Sequence, residues 1–172
     1  MTISMYHASI PTFIRHLNIL CDILQKGAAH AEAKKIDPAV FINSRLAPDM
    51  FALAKQVQIV SDTAKGASGR LAQVQPPSFE DTETTFPQLI ERAKKTIAWL
   101  ETLKPEQIDG GEEREVTWTT KSGPKRMKGQ PYLFQHALPN LFFHVSMTYA
   151  ILRHNGVELG KQDYLGKVDL LQ

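Results

Sequence analysis

Three polar side chains at helical spacing, His136, Asn140 and His144, lie between Gln130 and Gly156, in QPYLFQHALPNLFFHVSMTYAILRHNG. Successive helical residues turn by about 100°, so His136, Asn140 and His144 fall within about 80° of one another on one stripe. Phe143, Met147, Ala150 and Ile151 share that stripe, and Leu141, Val145 and Leu152 cover the opposite side. A helix apolar on both sides is buried on both sides, which makes this segment the central helix of an all-helical domain. An unpaired polar group there costs about 1–3 kcal/mol, so these side chains need partners. A hydrogen-bonded network, a metal site or the lining of a ligand pocket would each supply them.

Little else in the chain carries chemistry. No G-x-S-x-G, P-loop or G-x-G-x-x-G pattern occurs, and no Cys/His cluster. The single Cys21 falls among the apolar positions of the first helix and reads as a small buried hydrophobe. It excludes an internal disulfide and suggests a reducing compartment. His7, His16 and His30 are spaced so that no two share adjacent turns, and they read as surface or cap histidines. Asp62 is expected in a structural ion pair with Arg45 or Arg153. Trp99 and Trp118 read as packing residues, Trp118 as a cover for one bundle end.

The elements that must position the stripe follow from periodicity. A chain of 172 residues, 42% hydrophobic and 22% charged, suits one soluble domain over residues 1–172. Ile10, Phe13, Ile14, Leu17, Leu20 and Leu24 predict a first helix over about residues 4–33, which begins or bends at Pro11. The second is predicted from Pro48, at a first helical position followed by Asp49, to about Leu71. Gln56 lies one turn from Leu53 and Val60, so it can point inward. The third, capped by Asp81 or Thr82, carries Leu89, Ile90, Ala93, Ile97, Leu100 and Leu103 and ends at Pro105. Alternation in Glu115–Thr120 predicts a hairpin of about 114–119 with 125–129. The fourth helix starts near Pro131, is kinked or restarted at Pro139, and stops at Asn155-Gly156. The tail should lie over the bundle without forming a long helix. The fold expected is all-α, a four-helix bundle with a short β-hairpin between helices 3 and 4.

Charge and hydropathy narrow the partners. A net charge of +2 does not argue for nucleic acid, and the basic run Lys121–Lys128 sits in a Gly/Pro turn. No run of about 18 apolar residues occurs, so no membrane span is expected. The N-terminal residues lack the basic and apolar regions of a signal peptide, so the expected compartment is the cytoplasm.

Several stretches together resemble one family. They are Arg45-Leu-Ala-Pro-Asp-Met50 leading to Gln56-Val-Gln58, Leu138-Pro-Asn-Leu-Phe-Phe-His144, Ala150-Ile-Leu-Arg-His-Asn-Gly-Val157, Gly160-Lys161 and Asp163-Tyr-Leu-Gly166. In these the chain resembles the DinB-like (YfiT-like) helical-bundle superfamily of metalloenzymes, in a branch that is a domain-of-unknown-function family. The resemblance to that branch covers nearly the whole chain. It implies a divalent ion, zinc or nickel, held by one His from helix 2 and two from helix 4 at i, i+4. Four residues make one turn, so such imidazoles would face a single ion.

Carried onto this chain, the second helix 4 position is His144, the first is Asn140, and the helix 2 position falls near Gln56, with Asp49 two turns earlier. Only one of the three imidazoles is present. His136, at i, i+8 from His144, sits about 12 Å along the axis and does not restore the pair. Amide oxygens are poor ligands for zinc or nickel, so His144 is the one expected metal ligand. Two function classes stand. One is a metal-dependent transferase or hydrolase using an ion at His144. The other is a catalytically silent bundle that binds a small-molecule ligand at a degenerate metal site, or a partner. A homodimer is implied by the resemblance alone.

Overall fold

Hydrophobic periodicity in four segments becomes four long helices in a computed structural model that describes residues 3–120 and 122–168. Residues 1–2, 121 and 169–172, which the expected span of 1–172 includes, lie outside the described residues. The chain runs through α1 (Met5–Lys34), α2 (Pro38–Ile42), α3 (Leu53–Ala72), α4 (Phe86–Leu100) and α5 (Pro105–Ile108). Strands β1 (Glu115–Thr120) and β2 (Gly123–Lys128) follow, then α6 (Gly129–Pro131), a π-helical turn (Tyr132–Ala137), α7 (Leu138–His154) and α8 (Lys161–Leu165). The all-α bundle with a small hairpin late in the chain is as the sequence predicts.

Side-chain neighbours fix the helix directions. Cys21 of α1 points at the Ile90 carbonyl, and Gly27 lies against Phe86, so α1 and α4 are antiparallel. His16 meets Phe142 and Gly27 also touches Leu152, so α1 and α7 are parallel. Gln56 reaches His144 while Arg70 reaches Tyr132, so α3 runs against α7. The order is therefore up, down, down, up. Residues 73–85 must return the chain along the bundle. At about 3.3 Å per extended residue they comfortably span the roughly 30 Å of α3. Phe13, Leu17 and Leu24 of α1, Leu53, Val57 and Val60 of α3, and Leu141 and Val145 of α7 are fully buried. Each such side chain contributes about 1.5–3 kcal/mol.

Local chemistry moves some boundaries. Ser4 caps α1 by accepting from the His7 amide, and the helix runs through Pro11, whose exposed ring sits where no packing is lost. The second long helix begins at Leu53 rather than Pro48. Pro48 occupies the second position of the turn Ala47–Met50, closed by Met50 N–H on the Ala47 carbonyl at 3.0 Å, and the fixed φ of proline suits that position as well as a helix start. Leu53 N–H then donates to Ser44 O at 2.9 Å. Thr85, not Asp81 or Thr82, caps α4. Its hydroxyl accepts from Gln88 N–H while the Gln88 amide oxygen accepts from Thr85 N–H, a reciprocal capping box. Pro105 opens the short α5 rather than ending the long helix. The strands pair antiparallel from Glu115 with Lys128 to Thr120 with Gly123.

The effect of Pro139 appears one turn earlier than the proline itself. Lacking an N–H, it cannot bond to the carbonyl four residues back. The backbone before it widens into the π turn, in which Leu138 N–H reaches back five residues to the Leu133 carbonyl. The tail, as expected, contains no long helix among the described residues. Arg15 of α1 donates to the Leu165 and Lys167 carbonyls, and Lys26 pairs with Asp163.

Candidate functional site

Gln56 and His144 meet at the interface of α3 and α7, with 2.7 Å between His144 Nδ1 and Gln56 Oε1. The proton can be placed by elimination. The carbonyl of Phe51 can only accept, and the Gln56 amide nitrogen donates to it at 3.0 Å. The oxygen of that amide therefore faces His144, and it too can only accept, so Nδ1 carries the hydrogen. Burial holds the imidazole pKa below its ordinary value of 6.5, so the ring is neutral at neutral pH and Nε2 bears a lone pair. His144 is 8% exposed, its carbonyl accepts from the Thr148 hydroxyl, and the Phe143 ring meets its ring edge-on at 5.2 Å. Phe143 is itself 51% exposed and Phe51 53%. A fixed neutral imidazole beside the exposed Phe143 ring can accept a hydrogen bond or serve as a general base.

The other candidates do not join this pair. Asn140 donates from Nδ2 to Thr63 Oγ1 at 2.7 Å. His136, displaced by the π turn, leaves the Asn140–His144 stripe and stacks on Trp118 at 4.7 Å and Tyr132 at 5.6 Å. Burial, and then Arg70, lowers its pKa. Asp49 is exposed on the Ala47–Met50 turn, ahead of α3, and among the described residues it makes no side-chain hydrogen bond or ion pair with α7. The polar partners on α3 are thus Gln56, Thr63 and Arg70, spaced by seven residues. That spacing was available in the sequence as the polar face of a helix that meets an antiparallel neighbour.

Other expectations also shift. His7 is a cap residue, but His16 packs on Phe142 at 4.8 Å and is half-buried, and His30 meets Phe41 edge-on. Asp62 pairs with Arg92 and Lys65 rather than Arg45 or Arg153. Cys21 is buried as expected, which pushes its thiol up to about 11.

Comparison with known proteins adds a family to this geometry. Residues 5–165 match the family described as Domain of unknown function (DUF1993). The chain belongs to the DUF1993 family. A crystal structure of a DinB family member protein from Shewanella denitrificans is 38% identical, covers 97% of this chain and 94% of its own, and superimposes with a TM-score of 0.90. A DinB-like protein from Bacillus subtilis, 20% identical, covers 86% of this chain and 91% of its own with a TM-score of 0.58, and shares the fold. No curated protein sequence gives a significant match. This is a DinB-like fold in a family of unknown function.

The zinc or nickel ion that the DinB-like resemblance implies can be tested against the donors present. Among the described residues no three His, Cys, Asp or Glu side chains come together in a way that could hold a metal. At the expected positions stand one imidazole and two amides. Gln56 Oε1 and His144 Nδ1 are engaged with each other, and Asn140 is turned to Thr63. Amide oxygen is a weak donor for these ions. The residues do not fit the ion.

Proposed function

We propose that the His144 face is a metal-free small-ligand site in which the neutral imidazole accepts a hydrogen bond through Nε2. The observation that carries this reading is the Gln56 clamp, which commits Nδ1–H inward at 2.7 Å and leaves the other ring nitrogen as an acceptor. The partly exposed Phe143 beside the ring, and Phe51 on the loop that anchors Gln56, favour an apolar ligand body carrying one O–H or N–H donor. The site lies where the DinB-like pattern expects metal ligands, so we read it as a ligand site that has exchanged imidazoles for amides.

Phenol, an aromatic ring with one O–H donor, is a direct probe. Titrated into uniformly labelled protein, it is expected to shift the His144 ring resonances saturably. His144→Phe should abolish binding with the fold intact. Protonation would occupy Nε2, and the imidazole pKa is depressed, so binding should persist below pH 6.5. Phenol that leaves the His144 ring unmoved throughout the titration would overturn the reading.

A further inference from the structure

A second site lies on the other side of α3. Gln58 follows Gln56 by two residues, about 200° around the helix, and points away from α7 to donate to Glu83 at 2.9 Å. There the connection 73–85 and α4 enclose an open groove of about 640 Å³, lined among others by Phe79, Glu80, Glu83, Gln88, Glu91 and Arg92. Its floor includes a buried cation, since the Arg92 side chain is 1% exposed. One terminal nitrogen donates to Glu83 and to the Glu80 carbonyl, and the other to Asp62 and Asp81. The third nitrogen, Nε, is shielded from solvent and has no acceptor among the described residues. A buried donor left unpaired in this way is rare and needs an explanation.

The surroundings describe what would complete it. Phe79 lies over the guanidinium, with its ring centre 5.5 Å from Cζ. The Gln88 amide oxygen is spent on the α4 cap, accepting from Thr84 and Thr85, so its NH₂ remains available. Glu80 is exposed and pairs with no cation among the described residues, and Glu91 has only Lys95 at 3.8 Å. Three carboxylates and two cations line the groove, so it repels anions weakly and favours positive charge.

We propose that this groove binds a small cationic amide, whose carbonyl oxygen accepts from Arg92 Nε–H and whose ammonium lies against Glu80 and Glu91. Phe79 supplies the apolar wall, and its side chain must turn to admit the carbonyl. The Gln88 NH₂ offers a second donor to the same oxygen.

Lysinamide is the probe, with acetamide, butylamine and acetate as controls. In a spectrum of arginine-labelled protein the shielded Arg92 Nε–H gives its own cross-peak. Lysinamide is expected to shift that peak saturably with a millimolar Kd, acetamide less tightly, and acetate not at all. Glu80→Gln, a surface change, should weaken lysinamide severalfold and leave acetamide unchanged. Phe79→Ala should expose the cross-peak to faster solvent exchange. An Arg92 cross-peak indifferent to lysinamide and acetamide would overturn the proposal. Equal responses to lysinamide and acetate would also overturn it, because charge selection would be absent.

Discussion

Replacing Gln56 by leucine isolates the clamp. The two side chains are close in volume, so the 1% exposed position loses its hydrogen bonds without leaving a large cavity. Two groups lose partners. His144 Nδ1–H, inside the interface, is left with its full desolvation penalty, about 1–3 kcal/mol. The Phe51 carbonyl sits on an exposed loop and can take a water instead, so it adds little. The expected loss is about 2 kcal/mol, and at roughly 2–4 °C per kcal/mol for a chain of this size, Tm should fall by about 4–8 °C. Urea denaturation with an unchanged m-value would confirm that the native state alone is affected. A loss below about 0.5 kcal/mol, within the range of ordinary surface substitutions, would refute the reasoning that Gln56 holds His144.

Other expected outcomes follow from the same contacts. Burial lowers the pKa of His16, His136 and His144, so the unfolded chain binds more protons than the folded one, and urea stability should fall as pH drops below 6.5. Gln56→Glu should reverse the sign at one of these. A carboxylate beside His144 raises its pKa, and the stability it contributes is present below 6.5 and lost as pH rises through the new value, measurable by imidazole titration. Arg92→Met should cost about 2–3 kcal/mol in urea denaturation. It strands Glu83 at 12% side-chain exposure, while Asp62 and Asp81, at 41% and 38%, are relieved by water. Cys21, 5% exposed and with its thiol at about 11, should react with thiol reagents only at the rate of unfolding.

The long apolar stripes were legible because period and burial agree over many turns. Met5–Lys34 and Leu138–His154 each lie close to where Leu17, Leu24, Leu141 and Val145 put them. The misplaced boundaries lie where two local signals compete. Pro48 satisfies both a turn and a helix start, and only the tertiary bond from Leu53 N–H to Ser44 decides between them. The start of α4 was in principle readable, since Thr85-Phe-Pro-Gln88 is a capping-box pattern, but Asp81 and Thr82 compete with it locally. Within the site, helical phase turned Gln56 inward, and the DinB-like resemblance put it opposite His144. His136 departs from its helical phase, because the π turn inserts the equivalent of one residue and rotates it by about 100°. The burial of Arg92 was not legible, since its partners come from α3 and from a connection without periodicity.

The central claim, a neutral His144 held by Gln56 and working without a metal, can be tested by one spectrum. Two-bond nitrogen–proton correlation of the histidine rings, recorded on untagged protein before and after equimolar zinc, reports which ring nitrogen of His144 carries hydrogen. The expected result is a neutral ring protonated at Nδ1, with Nε2 as the bare acceptor, and the same pattern after zinc is added. A His144 ring protonated at Nε2, or one whose signals move stoichiometrically with zinc, would contradict it.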